Sequence, residues 1–301
     1  MKILLTGGSG DVGTLLTRAL LQDGHEVVNI DMAPPKTPGG IFMQGSILDR
    51  ALLEKAMAGV DCVVHIAAWH GIHAETKTPA EFHDLNVTGT FNVFQAAADA
   101  GVGKCVFVSS TSAAHPHEIY GHTKILGEKM AETYAHRHGM EVVTLRPRAF
   151  IPSWNRDVYA DYVGWAKWFM RGAVHIDDFR DAVLLAINLK TGRKAPVYTI
   201  DGAYDYSAGD LKNWDKDGPG TTFAKYYPDH VALAQKYGLD TALKPKVLEI
   251  EKDAKLPGYA PRYTMRSLLE ELKAFGADGP PAPYAAANKT PAPRRKNSRH
   301  P

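Results

Sequence analysis

Short runs of apolar, β-branched residues alternate with longer stretches whose apolar positions recur at helical spacing through the first half of the chain. The period-two or continuous runs predict strands at Ile3 to Thr6, Glu26 to Ile30, Cys62 to Ile66, Val106 to Val108 and Glu141 to Leu145. Between them, helical spacing covers Val12 to Leu21, Ala80 to Ala100 and Ile119 to His138, while a shorter strand near Ile41 to Met43 precedes a helix from about Asp49. Strand-helix alternation of this kind predicts an α/β fold, a doubly wound parallel sheet covered on both faces.

The second half is less regular. A helix after Asp177-Asp178, a strand at Val197 to Ile200 and a helix from about Met265 to Phe275 are expected, with short elements between Tyr204 and Pro261. After Gly279 the composition shifts: 280–301 is rich in Pro and Ala, carries Arg294, Arg295, Lys296 and Arg299, and has no acid. Too few large apolar groups remain there to offset ordering entropy, so a mobile basic tail is expected. The chain then reads as one domain over 1–279. Residues 1–150 form its nucleotide-binding core, and 151–279 form a small C-terminal substrate-binding region with returning core elements.

Composition narrows the classes. A net charge of +2 on 301 residues, with no basic face in the body, gives no reason to expect nucleic acid. Cys62 and Cys105 both sit in apolar runs and read as small core residues. The chain opens on a strand and has no apolar run long enough for a bilayer, so a cytoplasmic enzyme without a membrane partner is expected. Its 13 histidines include the groups His70/His73 and His115/His117/His122. Neither is joined by cysteines or a ligand set of acids, so no metal is expected and both read as polar groups near a pocket or in loops.

Thr6-Gly7-Gly8-Ser9-Gly10-Asp11-Val12-Gly13 puts glycines at 7, 10 and 13, directly after a strand and at the start of a helix. Such a turn lets a pyrophosphate approach the backbone, and the helix N-terminus offers it free N–H groups. Asp31 ends the second strand, where a carboxylate accepts hydrogen bonds from ribose hydroxyls and repels a 2′-phosphate. No arginine follows at 32 or 33, and Lys36 is the nearest cation. These features predict a Rossmann-type fold that binds NAD.

Further motifs follow in order: Val64-His65-Ile66-Ala67-Ala68, Asn86-Val87-Thr88-Gly89-Thr90, Val108-Ser109-Ser110-Thr111, Tyr120-Gly121-His122-Thr123-Lys124, Leu145-Arg146-Pro147 and Val174-His175-Ile176-Asp177-Asp178. With the glycine turn and Gly258-Tyr259-Ala260-Pro261-Arg262-Tyr263, the chain resembles the extended short-chain dehydrogenase/reductases, in the NAD-dependent epimerase/dehydratase branch acting mainly on nucleotide sugars. The resemblance implies cofactor contacts from Gly7, Gly10, Asp11, Val12, Gly13, Asp31, Ser46, Ile47, Ile66, Ala67, Ala68, Ser109, Tyr120 and Lys124. It also implies an Asn-Ser/Thr-Tyr-Lys set made of Asn86, Thr111, Tyr120 and Lys124, with Thr111 favoured over Ser110 by register, and a homodimer through the two long helices.

The chemistry follows from the residue types as well. Tyr120 and Lys124 are four apart and share a helix face. A tyrosine has a pKa of about 10, and bringing it near 7 takes roughly 4 kcal/mol from a nearby ammonium and a positive nicotinamide ring. Tyr120 then takes the alcohol proton as hydride leaves carbon, and Thr111 holds the same oxygen. Trp69, His70, Thr111 and Arg148 are candidate substrate contacts, His65 is expected to be structural, and Asp177 and Asp178 to start a helix.

Two departures from the branch point to a smaller substrate. Thr111 is only nine residues before Tyr120, and the Pro152 to Val174 stretch is short for a sugar-nucleotide pocket. The expected activity is hydride transfer between NAD and a secondary alcohol or ketone of a carbohydrate-like molecule, as in a dehydrogenase/reductase. The alternatives are an NAD-retaining epimerase/dehydratase and a non-catalytic dinucleotide sensor.

Overall fold

The structure, a computed structural model, describes residues 1–192 and 194–284. Strands β1 (Lys2–Thr6), β2 (Glu26–Asp31), β3 (Ile41–Gln44), β4 (Cys62–His65), β5 (Lys104–Val108), β6 (Glu141–Pro147) and β7 (Val197–Ile200) form one sheet. All pair in parallel, in the order β3-β2-β1-β4-β5-β6-β7. Chain order reverses between β1 and β4, and a crevice opens at such a switch point beyond the carboxyl ends of the strands.

The α-helices in chain order are α1 (Asp11–Gln22), α2 (Arg50–Ala56), α3 (Pro79–His83), α4 (Thr90–Asp99), α5 (Ile119–His138), α6 (Tyr162–Phe169), α7 (Ile176–Asn188), α8 (Ala208–Lys212), α9 (Thr221–Tyr226), α10 (Val231–Lys236) and α11 (Met265–Phe275). Ile3 and Leu5 of β1 pack with Leu16 of α1 and Phe179 and Val183 of α7 on one face of the sheet. Leu4 of the same strand packs on the other face with Leu53, Phe94 and Ala135 from α2, α4 and α5. Burial on both faces is why the strands read as nearly continuous apolar runs. Cys62 and Cys105 are buried on opposite faces, which explains their apolar surroundings. A third cluster, including Tyr162, Trp165, Phe169, Phe223, Tyr227 and Leu268, builds the small C-terminal region beside the crevice.

Two expectations are corrected. The helix expected over Ala80 to Ala100 is interrupted: α3 passes into a π-type turn at Asp84–Gly89 before α4 begins. Gly89 lies there against Ile47, whose Cδ1 would be 2.6 Å from an added Cβ, so the turn brings the backbone close to the β3–α2 loop. The tail is expected from Pro280, but its first residues are packed. Arg18 donates to the carbonyl of Pro283, and Tyr284 packs against Trp154, so 280–284 belong to the packed body. The cationic positions 294–299 lie outside the described residues. Among the described residues, no helix is long and apolar enough to cross a membrane.

The ends of β1 and β4 are tied by a buried polar chain. Thr6 Oγ1 lies 2.7 Å from His65 Nδ1, and His65 Nε2 lies 2.9 Å from Thr90 Oγ1. Thr6 Oγ1 also accepts the N–H groups of Ile66 and Ala67. With its hydroxyl accepting these, Thr6 donates to Nδ1, and the imidazole donates from Nε2 to Thr90. Burial and the Lys124 charge hold His65 down to about 3, so it is neutral, as its structural reading requires.

His175 caps α7, stacks on Tyr263 with centroids 3.9 Å apart, and is held down to about 4 by burial, against the pull of Asp177. Both histidines bind a proton more weakly folded than unfolded, where the pKa is 6.5. Their contribution to stability is complete above pH 6.5 and is lost as pH falls toward their folded values. Urea unfolding should therefore show stability declining between pH 7 and pH 5, by on the order of 2 kcal/mol per histidine. In His65→Gln the slope should become shallower, and an unchanged slope would refute the assignment.

Candidate active site

The cofactor end is built by backbone geometry. Gly7 has φ +74°, and a Cβ there would meet the Ala67 amide nitrogen at 2.9 Å, so only glycine lets the turn press against the residues after β4. At Gly13 a Cβ would meet Gly8 Cα at 2.5 Å, which fixes the close packing of α1 on the turn. Gly10 caps α1 with no side-chain hydrogen bond, leaving the first-turn N–H groups at Asp11 and Val12 to face an anion. Asp31 stands beside them. Its Oδ2 accepts the Ser9 N–H at 3.0 Å and its Oδ1 the Ala33 N–H at 2.9 Å, which holds a carboxylate at the rim. These residues fit a dinucleotide with an unphosphorylated ribose.

The other expected cofactor contacts divide. Ile66, Ala67 and Ala68 leave β4 at the switch point, and Ser46 sits just beyond β3, its hydroxyl accepting the Leu48 N–H at 3.1 Å. Ile47 is buried in the core with its carbonyl on Asn92, so its side chain serves packing. Ser109 is buried and donates to Glu128 Oε1 at 2.5 Å, which turns its hydroxyl toward α5.

The groups expected to react lie at the start of α5 and in the turn before it. Gly121 allows this: a Cβ would lie 2.3 Å from the Ser112 carbonyl, so the helix abuts the short turn Thr111–Ala114 that follows β5. Tyr120, the residue before Gly121, is thereby brought beside this turn, near enough to Ser110 for that hydroxyl to pull its pKa down. Thr111 stands next to it, half-buried, as the first residue of that turn. Both hydroxyls weighed in the sequence, Ser110 and Thr111, thus stand on the side of the turn that α5 meets.

Lys124 donates to the Val108 carbonyl at 2.8 Å, and its Nζ lies 5.8 Å from the Tyr120 ring centre. Burial pushes the lysine down to about 8, with Glu128 pulling it back up. Burial also pushes the Tyr120 phenol up to about 12, against the Ser110 hydrogen bond. The expected descent toward 7 is absent from the protein by itself; it requires a cationic ring beside the phenol. Glu128 was missed, although it continues the four-residue spacing of Tyr120 and Lys124. It is gripped by Arg146 at 2.7 and 2.5 Å.

Asn86 lies in the π-type turn with its amide engaged. It accepts the Trp69 N–H at 2.7 Å, and donates to the Trp69 carbonyl at 2.8 Å and to Thr123 Oγ1 at 3.1 Å. It thus positions the loop after β4 over α5. That loop brings Gly71 to within van der Waals reach of the Tyr120 ring, and it stacks Trp69, His70 and His73 edge to face. His70 is held down to about 4 by burial and by the His73 and Lys124 charges, so it enters the site neutral.

Arg148 is not free to meet substrate. Its guanidinium binds Asp201, Tyr204 and the carbonyls of Arg171 and Lys246, clamping the C-terminal region onto β6. Asp178 has a similar task, accepting the N–H groups of Arg262 and Tyr263 at 2.9 and 3.1 Å. His115, His117 and His122 are exposed, and among the described residues no group of three His, Cys, Asp or Glu is arranged to hold a metal.

Comparison with known proteins gives a consistent picture. The sequence model of the "NAD dependent epimerase/dehydratase family" matches residues 3–155. The uncharacterized protein y4nG of Sinorhizobium fredii is 30% identical over 89% of this chain and 76% of its own length. The UDP-glucose 4-epimerase of Lactobacillus helveticus is also 30% identical, over 48% of this chain and 51% of that enzyme. In fold, the chain is similar to MoeE5 in complex with UDP-glucuronic acid and NAD, with a TM-score of 0.68 at 20% identity, over 90% of this chain and 97% of that one.

The buried ammonium generates a stability prediction. Lys124 falls from an unfolded value of 10.5 to about 8, so below pH 8 the folded state bears the full cost of holding its charge. That cost is on the order of 3 kcal/mol and disappears above pH 10.5, where neither state is charged. Lys124→Met should therefore raise the melting temperature at pH 7 by a few degrees while abolishing turnover. A lower melting temperature at pH 7 would show that the lysine is held by favourable contacts instead.

Proposed function

Because the chain belongs to the NAD-dependent epimerase/dehydratase family, we propose that it oxidises a secondary alcohol of a sugar or sugar nucleotide and returns the same hydride before product leaves. The observation that carries this is the placement of Tyr120, with Ser110 and Thr111 across from it and Lys124 one turn along α5, at the mouth of a crevice whose backbone fits a dinucleotide. NAD, when bound, supplies the hydride acceptor and donor. UDP-glucose 4-epimerase among the relatives and UDP-glucuronic acid in the MoeE5 complex support a glycosyl substrate.

In this reading the Ser110 and Thr111 hydroxyls hold the substrate oxygen, and Tyr120 takes its proton as the carbonyl forms and gives it back in the reverse step. Lys124 stabilises the phenolate through its charge, which Glu128 helps maintain despite burial. His70, kept neutral beside Lys124, offers a hydrogen bond to a sugar hydroxyl without adding charge. Asn86 and Trp69 hold the covering loop in place. Eliminating water would need a further acid and base. In the segment from Ser110 to Tyr120 the sole carboxylate, Glu118, is exposed, which favours epimerisation over dehydration.

A second reading, net dehydrogenation of a smaller sugar or sugar acid, is supported by the single short turn that joins β5 to α5 and leaves little lid. A homodimer through α4 and α5 is also proposed; Phe91 of α4 lies exposed there.

Incubating the enzyme with uronates, aldoses and their nucleotide derivatives separates the two readings. We expect an inverted product without accumulation of reduced cofactor, and deuterium from the substrate carbinol carbon retained in product. Stoichiometric NADH would establish the dehydrogenase instead. Tyr120→Phe should lower turnover by roughly 10²–10⁴-fold.

A further inference from the structure

Asp11, the first residue of α1, gathers contacts from three segments far apart in sequence. Its Oδ1 pairs with Lys36 Nζ at 2.6 Å, from the connection between β2 and β3. Its Oδ2 lies 3.4 Å from Asn155 Nδ2, in the segment after β6. The Tyr284 hydroxyl reaches Oδ1 at 3.5 Å from the far end of the described chain. Around this carboxylate the Lys36 ammonium lies 5.5 Å from the Tyr284 ring centre, and Trp154 meets the same ring edge to face at 6.2 Å.

The approach to Tyr284 is fixed as well. Arg156 donates to the Asp278 carbonyl at 2.9 Å, Gly279 packs on the Tyr162 ring, and Arg18 of α1 holds the Pro283 carbonyl. Residues 278–284 thus run as a strap from the C-terminal region to the start of α1, joining the two walls of the crevice.

Two features of this cluster point toward an anionic ligand. A carboxylate at the helix start beside the glycine turn would repel a pyrophosphate, and Lys36 offsets that charge at contact distance. The Trp154 indole N–H is buried without an acceptor, whereas buried donors are nearly always paired. Lys36 keeps its charge firmly: burial works against it, but the hydrogen bond to Asp11 holds its pKa above the ordinary lysine range.

We propose that Asp11, Lys36 and Tyr284 form a latch that must open before the dinucleotide can leave, making them positioning residues for cofactor retention. The inference rests on the hydride-returning reading above, which requires a cofactor that stays through many turnovers. Lys36 neutralises the carboxylate next to the pyrophosphate, and Tyr284 draws the strap across the cleft. Closing the walls with side chains from three segments slows dissociation more than it speeds association, as is usual for contacts within one interface.

The full-length protein, loaded with NADH and diluted into excess NAD, gives the release rate from the decay of bound-NADH fluorescence. Tyr284→Ala, and a chain ending at Gly279, should release NADH about tenfold faster or more, whereas a chain ending at Tyr284 should stay within about twofold of the intact protein. Lys36→Met should also release faster, and adding Asp11→Asn to it should restore much of the loss, because no carboxylate is then left to neutralise. If the chains ending at Gly279 and at Tyr284 behave alike, or Tyr284→Ala releases at the intact rate, the latch is refuted. An intact protein that binds no NADH, or sheds it each turnover, refutes the retention reading itself, whatever the variants do.

Discussion

The seam between β1 and β4 is the constraint on which the site depends. There the Gly7 backbone packs against Ala67 with no room for a Cβ, and Thr6, His65 and Thr90 are joined by buried hydrogen bonds. This contact sets the distance between the glycine turn and the loop carrying Trp69 and His70. Through Thr90 it also fixes where α4 starts, and so where the π-type turn and Asn86 lie. The crevice is therefore held by backbone approach and a neutral imidazole, neither of which relies on surface charge.

A second theme is the low polarity around the reacting pair. Burial opposes the charged form of both Tyr120 and Lys124, and the protein offsets this only in part, through Ser110 for the phenol and through Glu128 with its Arg146 clamp for the ammonium. Such an environment strengthens any charge that arrives later. The protein supplies the low dielectric and the geometry, and a bound cofactor with a positive ring supplies the remaining field. Under the proposed function, proton removal by Tyr120 is thereby confined to the loaded state.

Much of the fold was legible because a parallel sheet buried on both faces leaves long apolar signals. β7, α5 and α11 fall where the sequence pattern puts them, and the glycine turn with Asp31 is a local motif whose purpose is local. What escaped was non-local. The break at Asp84–Gly89 is invisible to periodicity, although Asp84, Asn86, Val87, Thr88 and Gly89 are all weak helix formers, because propensity alone does not show where Gly89 will meet Ile47. Arg148 looked like a ligand contact since a cation after a β-strand end often is one; its partners, Asp201 and Tyr204, lie more than fifty positions away. Glu128 and the 280–284 strap were missed for the same reason, their partners being set by tertiary contact. The composition of 280–284 resembles that of the sequence after it, and only Tyr284 distinguishes it.

The π-type turn also acts as a phase shifter. The wide turn absorbs one extra residue, so the residues that follow are set back by about 100° relative to the same sequence wound as an uninterrupted α-helix. α3 and α4 can thus each direct a different stripe inward: Phe82 before the turn, Val93, Phe94 and Ala97 after it. Losing a single residue between Asp84 and Gly89 would let the stretch wind as a regular α-helix with those apolar side chains still on the sheet, whereas winding the present sequence without the wide turn would rotate them away. The wide turn is consequently the place in this helix where one residue can be gained or lost while the apolar stripe beyond it keeps facing the sheet.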